Sequence, residues 1–576
     1  MKFGVYKTRN TVSLLIPLSI SVILWFDEVE TNARLYFCQL IVARLLGRRM
    51  HQIHFKRPKG HFTFNNRLSS MKNKNILNAC FSTKYVLFVL YHLSFILPSN
   101  AQSRFEFSPL ARAAYDRTLA LKFEEANGLI AELRRKEPHN AVAYYIENYV
   151  DCLKVFISED QTLFDQLAPK AEKRLSVLRG SDASSPYYLF SQAQVRLLWA
   201  MNRAKFGQYL TAFNETATAF GQLEANQKKF PTFMPNKMSL GVLHAIVGAI
   251  PDNYKWGLKL LSGMNGTTAQ GQAEIEEVIH YAKSNDFAFE QEALVMYAFL
   301  TLHLNNQNEN AWQVINSPKL KPKENMLAAF ALSNVAMRTG RNDKAIDILQ
   351  NRPTAAAYYP FYFLDYQLGL CKMYRGDADA DIYLKKYVSN FRGRNYLKEA
   401  YQRLAWFELL KGNWNGYKSY SETGKTAGKT DIGGDKNALK EAKSGIAPNA
   451  DLLRGRLLFD GGYFQKAYAY LSQKNDNNFP QQAEKLEFSY RMGRILQMLK
   501  KPNEAIAYFD KTIQSGKNTR YYYACNAALQ MGTIYEENKT PAKAREYYNF
   551  CLSLNPDDYA DGLHSKAKAG LGRLKK

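Results

Sequence analysis

The sequence predicts an all-α protein, a solenoid in which helical hairpins of similar length stack along the chain. The first observation is a recurring interval between hairpin turns, which are expected near Gly340, Gly376, Gly412, Gly462, Lys500 and Lys539. Successive turns are 36, 36, 50, 38 and 39 residues apart. The second observation is that no stretch sustains an apolar/polar period of two, so essentially no sheet is expected. Because one hairpin cannot bury its apolar face alone, such repeats become stable by stacking.

The first element along the chain is a basic, acid-poor segment. Residues 1–101 hold 14 Lys and Arg against 3 Asp and Glu, and so supply +11 of the formal net charge of +25. Residues 1–70 lack repeat spacing and are expected to be an upstream extension outside the fold. The alternative is that the apolar stretch 11–26 anchors the chain in a membrane. The remaining +14 is spread over 475 residues, which favours a solvated surface over a nucleic-acid site.

Residues 71–101 have the three-part layout of a secretory signal peptide. A basic start precedes the apolar run 85–97, and Ser99 and Ala101 are small residues where a signal peptidase requires them. Cleavage is therefore expected before Gln102, with no lipid-site cysteine after it. The mature chain has no apolar run long enough to span a bilayer. The expected location is the periplasm or the outer membrane of a Gram-negative bacterium.

The C-terminal repeats carry the clearest motif. Residues 525–558 combine a first-helix pattern with a second-helix pattern, namely Met531-Gly532-x-x-Tyr535 followed by Ala544, Tyr548 and Pro556. Weaker copies lie in 486–519, with Met492, Gly493, Ala505 and Phe509, and in 448–481, with Gly455, Ala467 and Leu471. The second-helix spacing alone is kept by Ala345 and Leu349 and by Ala126, Ile130, Leu133 and Pro138. The chain thus resembles the tetratricopeptide-repeat family, clearly over 324–558 and diffusely from 107 onward.

This resemblance implies a right-handed superhelix whose first helices line a concave groove for a partner's peptide or helix. The groove-facing side chains then fall at positions 2, 5, 9 and 12 of each repeat, which here include Arg456, Tyr490, Arg494 and Asn526. The alternative is that Tyr490 packs in the core and the arginines are solvated. Members of the family are characteristically adaptors. The implied function is a non-catalytic protein–protein interaction scaffold of the cell envelope.

The repeat spacing also predicts how the mature chain is divided. Divergent helical repeats are expected over 102–323, repeats closer to the family pattern over 324–420 and 448–558, and a capping helix or tail over 559–576. The long third interval, from Gly412 to Gly462, places an inserted loop and helix at 421–447. Its Gly/Thr/Lys-rich part, 421–437, is expected to be an extended loop. Asp435 is expected to cap the helix that begins near Lys436.

The block 391–406 alternates aromatic and basic side chains on an expected helix. If the chain has one docking patch, we expect it at Arg394, Asn395, Tyr396, Lys398 and Tyr401. Aromatic and guanidinium groups together give contact area with charge selectivity. The alternative is a basic helix with ordinary buried tyrosines. This block and the one that follows Gly433 resemble exported repeat proteins of Bacteroidetes-type bacteria, a group to which the resemblance assigns no activity.

No motif for catalysis, metal binding or a cofactor is present. Histidines after residue 102 are scattered without HExxH, and no Gly-x-Ser-x-Gly occurs. The glycine-rich stretch after Gly241, with Pro251, Tyr254 and Trp256, lacks both phosphate-loop motifs, so a turn between packed helices is expected. The six cysteines have no CxxC and no Cys/His spacing for zinc. We therefore expect no enzyme and no cofactor.

Two questions stay open at this point. Cys525 and Cys551 are close enough in sequence to share a hairpin, and two buried thiols are favoured over a disulfide. The second hypothesis for function is an envelope glycan-binding protein on a similar helical scaffold. Such proteins carry long irregular loops with exposed aromatics and a lipidated cysteine, whereas the loops expected here are mostly short. We therefore rank the protein-binding scaffold first.

Overall fold

The computed structural model of the chain describes residues 103–250, 259–260, 262–304 and 307–574. The β-type pairings among these residues are two isolated bridges, Ser103 with Ser181 and Arg104 with Asn140. Several predicted features lie outside the described residues: the upstream extension 1–70, the signal peptide 71–101 with cleavage before Gln102, and the turn residues Pro251, Tyr254 and Trp256.

The N-terminal part of the described chain consists of consecutive helices joined by short connections. In chain order they are α1 (Pro109–Leu119), α2 (Phe123–Lys136), α3 (Val142–Ser158), α4 (Gln161–Leu167), α5 (Lys170–Arg179), α6 (Tyr187–Lys205), α7 (Tyr209–Lys229), α8 (Met234–Ala249), α9 (Thr268–Ser284), α10 (Glu290–His303) and α11 (Asn308–Ile315). Neighbours pair as antiparallel hairpins, with the most extensive packing between α6 and α7 and between α8 and α9.

The C-terminal part continues the same arrangement. Its helices are α12 (Met326–Arg338), α13 (Asn342–Gln350), α14 (Phe363–Arg375), α15 (Ala380–Asn390), α16 (Leu397–Leu410), α17 (Trp414–Thr426), α18 (Gly433–Ser444), α19 (Ala450–Asp460), α20 (Phe464–Leu471), α21 (Gln482–Met498), α22 (Pro502–Gly516), α23 (Tyr523–Glu537), α24 (Pro541–Ser553) and α25 (Ala560–Arg573). One 3₁₀ turn, Asp476–Asn478, precedes α21. The predicted all-α solenoid is confirmed.

Each of the six predicted hairpin turns contains a residue in the left-handed backbone region. Four are glycines with φ between 76° and 88°, namely Gly340, Gly376, Gly412 and Gly462. Two lysines take the same place in the last two hairpins, Lys500 at φ 60° and Lys539 at φ 56°. Leu121 at φ 64° and Gly207 at φ 79° close two further hairpins, which the spacing did not predict. A recurring backbone conformation therefore marks each of these turns.

The two helices of a hairpin approach closely where a first-helix glycine faces a large second-helix side chain. A Cβ atom placed on Gly532 would lie 2.6 Å from the ring of Tyr548, and one on Gly493 would lie 2.7 Å from Phe509. The same contact pairs Gly455 with Leu471 and Gly369 with Leu384. The pattern residues of the last three repeats thus contact each other, and the same contact recurs at Gly369, two repeats further towards the N-terminus, whereas the repeat between has Ala405 at this position.

One hydrophobic core runs through the described residues from Phe105 to Leu457, and two smaller cores occupy the later hairpins. The first helices supply its centre: α12 and α14 are buried along nearly their whole length, whereas α13 buries one face. The inner-face positions of α12 lie ten and six residues before the turn at Gly340. They are Phe330 and Asn334, and both are fully buried. The implied open groove is therefore closed in this part of the chain.

The chain also returns to its own N-terminal hairpins. The Glu159 carboxylate, just after α3, accepts hydrogen bonds from the backbone N–H of Arg394 at 2.9 Å and of Asn395 at 2.8 Å. Its other oxygen faces the Lys205 ammonium at 2.7 Å. The Tyr359 N–H likewise donates to the Leu121 carbonyl at 2.8 Å. We call the contact between residue 159 and residues 394–395 the closing contact.

The insertion in the long third interval is more helical than predicted. Residues 421–426 extend α17, and α18 begins at Gly433, so the extended connection is 427–432 rather than 421–437. Gly424 is buried, and its backbone packs against Tyr401. Tertiary packing has here overridden the low helix propensity of the Gly/Thr-rich sequence.

Among the described helices, none combines the length and the apolar character that a membrane span requires.

Candidate functional site

The structure buries most of the predicted docking patch. Asn395, Tyr396 and Lys398 are each at most 5% exposed, while Arg394 and Tyr401 are partly exposed. Arg394 pairs with Asp431 at 2.8 Å, and the Lys398 ammonium donates to the Lys425 carbonyl at 2.9 Å. The insertion supplies these two partners, and Glu159 holds the Arg394 and Asn395 amides at the closing contact. A partner-binding role for these residues remains a prediction.

The four predicted groove residues lie on the first helices α19, α21 and α23. Arg456, Tyr490 and Asn526 are each at most 6% exposed, and Arg494 is partly exposed. Arg494 donates to the Tyr490 hydroxyl at 3.3 Å, and its guanidinium lies 5.3 Å from the centre of the Phe459 ring. The structure thus brings Tyr490 and Arg494 together. Asn526 instead accepts from Gln530 on its own helix at 3.0 Å.

Asp435 does cap a helix, but a different one from that predicted. It lies inside the first turn of α18, whose preceding residue Ile432 makes no side-chain cap. The Asp435 carboxylate accepts from the backbone N–H of Tyr396, just before α16, at 2.7 Å and from that of Glu399, in the first turn of α16, at 2.9 Å. The prediction was wrong because it considered only local sequence, whereas the helix terminus that needs acceptors is brought alongside by folding.

Helix α18 thereby lies against the inner face of α16. Two turns beyond Asp435, the Glu441 carboxylate accepts from the Trp406 indole N–H at 2.6 Å and from the Gln402 amide at 2.7 Å. Burial raises the pKa of Glu441, although the Trp406 hydrogen bond and the nearby Arg456 and Arg403 charges act in the opposite direction. The pKa of Asp435 is also raised well above its usual range by burial.

Arginines surround this contact. The guanidinium of Arg403 lies 4.2 Å from the centre of the Trp406 ring, and that of Arg456 lies 4.9 Å from it. Asp460, on α19, faces Arg456, Arg491 and Arg403, and burial nevertheless raises its pKa. We call Gln402, Arg403, Trp406 and Arg456 the groove cluster. Its donors suit carboxylates, because guanidinium and indole N–H groups form short hydrogen bonds to charged oxygens.

Sequence reasoning missed Gln402 and Trp406 as groove residues, although a signal was available. Arg456 and Arg494 each lie six residues before their turn residues Gly462 and Lys500. Six residues before Gly412 is Trp406, and ten before it is Gln402, the counterpart of Tyr490. Counting back from Gly412 in the same way identifies both Gln402 and Trp406 as groove positions. Glu441 has no such signal, since it belongs to no repeat position.

The described residues give no group of three or more His, Cys, Asp or Glu side chains that could hold a metal ion. The two cysteines of the last full hairpin are buried thiols. Their sulfurs lie 3.5 Å apart, and the Cys525 thiol donates to the Cys551 carbonyl at 3.3 Å. The chemistry that the groove cluster offers is recognition, because its hydrogen-bond donors for carboxylates lie beside an aromatic ring.

Comparison with known proteins identifies the repeat and little else. A family model, tetratricopeptide repeat, matches residues 526–558. No curated protein matches the chain. Solved structures similar to it include the human IFIT1 dimer with m7Gppp-AAAA, at 14% identity and TM-score 0.27, covering 85% of this chain and 92% of that one. The APC/C hetero-tetramer Cut9-Hcn1 is 12% identical at TM-score 0.20, covering 80% and 95%. The TPR domain of P58(IPK) is 16% identical at TM-score 0.19, covering 72% and 98%.

Proposed function

We propose that the protein is a non-catalytic scaffold that binds a protein partner on the inner faces of α16, α19, α21 and α23. A tetratricopeptide-like fold suggests a protein-interaction scaffold, and the matched repeat lies in this part of the chain. Stacked hairpins of this kind present successive first helices side by side, so that equivalent positions form a continuous surface.

The observation that carries the proposal is the chemistry of those equivalent positions. Six residues before the turns at Gly412, Gly462 and Lys500 stand Trp406, Arg456 and Arg494, and ten before the turn at Lys500 stands Tyr490. Aromatic and arginine side chains are the residue types that dominate protein-interface energetics. Arg494 keeps part of its side chain exposed while its guanidinium lies over the Phe459 ring. A partner carboxylate can reach such a group from solvent.

Export to a bacterial envelope completes the proposal and rests on the sequence alone. The layout of residues 71–101 supports a signal peptide, with the mature chain beginning at Gln102. The likeness to exported repeat proteins of Bacteroidetes-type bacteria favours the same location. Mass spectrometry of the N-terminus of the native protein tests this directly. A terminus at residue 102 is expected, and one upstream of Met71 would contradict export by this signal.

The partner-binding test is affinity capture of the tagged protein from cross-linked native envelopes. The variant is Arg494→Ala, and the matched control is Lys511→Ala on the second helix of the same hairpin. We expect Arg494→Ala to reduce recovery of the partner about fivefold or more, as for a hot-spot residue worth over 1 kcal/mol. Lys511→Ala is expected to leave recovery unchanged.

Two results would overturn the proposal. Equal recovery with both variants would place the partner elsewhere on the chain. Absence of any protein partner, combined with retention of the protein on an envelope polysaccharide, would favour the glycan-binding hypothesis instead.

A further inference from the structure

Helix α18 occupies the surface on which a partner is proposed to bind. Its acidic side chains contact α16 at Glu399, Gln402 and Trp406. Counted from the turn at Gly412, these correspond to Asn449, Leu452 and Arg456 in the next repeat, which are inner-face positions. The backbone of Gly434 also approaches Glu399 so closely that a Cβ atom there would overlap its carboxylate. Helix α18 of the same chain thus occupies this part of the groove.

The two sides of α18 differ in charge. Asp435, Ala438 and Glu441 follow one another at three-residue steps on the side that faces α16. The three lysines, Lys436, Lys440 and Lys443, are exposed, and Lys440 pairs with Asp558 at 2.6 Å. Residues three apart on a helix share a face. The helix therefore offers two carboxylates separated by a small side chain to a surface that carries arginine and indole donors.

Polar contacts hold α18 in place more than apolar burial does. Within the helix itself only Gly434, Asp435 and Ala438 are buried, and Ile432 is the one large apolar side chain buried in the connection before it. A helix of 12 residues that starts with two glycines is marginal on its own. Both flanks, Thr426 and Gly445, are exposed. The burial that raises the pKa of both carboxyl groups also shows that their contact with α16 is opposed by desolvation.

We propose that α18 is a built-in competitor for the groove, which a partner helix must displace by offering the same face: Asp, a small residue and Glu at three-residue steps. This inference rests on the proposed function for the identity of the site, and adds the class of partner and a means of regulation. In the structure α18 represents the closed state. The partner is recognised by its two carboxylates, one at the backbone amides of Tyr396 and Glu399, which Asp435 occupies in the closed state, and one at the groove cluster.

The experiment releases α18 without removing it. A protease site is inserted after Thr426 and another after Gly445 in the full chain, so that cutting converts 427–445 into a separate peptide. A fluorescent synthetic peptide of residues 427–445 is then added, and its uptake is followed by anisotropy. We expect the cut protein to bind the peptide at least tenfold more tightly than the uncut protein with the same insertions.

Three further peptides define the chemistry. Replacement of Asp435 and Glu441 by Ala is expected to weaken binding at least tenfold, and replacement of Lys436 and Lys443 by Ala is the matched control, expected to leave binding unchanged. A helical peptide of unrelated sequence that keeps only the Asp, Ala and Glu face is expected to bind as well as the natural one.

Each contrary result overturns the inference. If the cut protein loses its helical circular dichroism when the excised segment leaves, α18 is an integral part of the fold. If the cut protein keeps its own segment against excess peptide, or if the uncut protein binds the peptide equally well, α18 is no competitor. Because the probe is a peptide of this chain, the result does not depend on a natural partner. Failure of the capture experiment can therefore be told apart from failure of this one.

Discussion

At the residue scale, the repeats are defined by a contact that glycine allows because it has no side chain. Gly532 and Gly493 allow the rings of Tyr548 and Phe509 to lie directly on a helix backbone. This was predictable from sequence, since the glycine and the ring recur at fixed spacing within each repeat. The burial of Glu292 was not predictable in the same way, because it depends on Tyr115, which lies 177 residues earlier in the chain.

Gly532→Ala tests the glycine–ring contact. The added methyl would lie 2.6 Å from the Tyr548 ring, so the ring or the helix must move. We expect a loss of about 1–2 kcal/mol in the free energy of unfolding, with the overpacking cost partly offset by the better helix propensity of Ala. The control is Gly562→Ala in α25, which meets nothing within 4 Å and should be neutral or stabilising. Urea denaturation of both variants gives the comparison, and equal stability would refute the contact.

Glu292 should make stability depend on pH. It is buried beside the Tyr115 hydroxyl, and burial raises its pKa to about 8. Because its folded pKa lies above its unfolded pKa of about 4.3, the folded state holds the proton between those values, and stability falls as pH rises through them. The slope from one proton is at most ~1.4 kcal/mol per pH unit.

The measurement for Glu292 is the thermal midpoint between pH 5 and pH 8. Glu292→Gln should lose less stability than the wild type over this range. Glu324→Gln, at an exposed carboxyl, should keep the wild-type dependence. Parallel pH profiles for the wild type and Glu292→Gln would show that this carboxyl does not carry the effect.

The thiols Cys525 and Cys551 should be unreactive until the hairpin unfolds. Both are buried, and the hydrogen bond from the partner thiol together with burial raises the pKa of Cys525. Since the thiolate is the reactive form, we expect a thiol reagent to modify neither cysteine in the reduced native protein and both in denaturant. Rapid modification of either one under native conditions would contradict their burial.

At the element scale, helix ends and insertions decide what local sequence can predict. The turns were predictable from their recurring interval and from a glycine at four of the six, and second-helix spacing follows from periodicity. The target of Asp435 was misassigned because two helices compete for one carboxylate, and only folding decides between them. The one glycine and two threonines of 421–426 are poor helix formers and so favour a loop in the sequence, yet packing against α16 keeps the segment helical.

Asp435→Ala tests the cap across elements. It removes the acceptor of the Tyr396 and Glu399 amides at the start of α16, for an expected loss of about 1–2 kcal/mol. Asp435→Asn keeps one acceptor oxygen and removes a charge that Glu399 and Glu159 oppose, so it should cost less. Hydrogen exchange of the amides of residues 396 and 399 locates the effect. Unchanged exchange in the Ala variant would mean that α16 does not depend on this cap.

At the scale of the whole molecule, the large core and the closing contact unite hairpins that are remote in sequence. Repeat spacing predicts that neighbours stack, but the point where the curved array meets itself depends on small rotations added over many hairpins. For this reason the predicted docking patch, Arg394 to Tyr401, turned out to be largely buried. The sequence pattern shows an aromatic and basic block, but it could not show that the start of this block contacts Glu159.

Glu159→Ala tests the closing contact. It leaves the Arg394 and Asn395 amides without their acceptor and removes the carboxylate that faces Lys205, for an expected cost of about 3 kcal/mol or more. Glu159→Gln retains an acceptor oxygen and should cost less. Urea denaturation monitored by tryptophan fluorescence measures both variants. A wild-type midpoint for the Ala variant would show that the two segments hold together without this carboxylate.

The closing contact also sets the order in which parts of the chain reach their final environment during synthesis. The Glu159 carboxylate meets backbone amides 235 and 236 residues later in the chain. A ribosome adds about 5–20 residues per second, so roughly 10–50 s separate the synthesis of the two sides. During that interval the first hairpins exist with their inner apolar faces uncovered. The N-terminal hairpins, made first, are therefore among the last to reach their final environment, and a nascent-chain chaperone would have its longest task there.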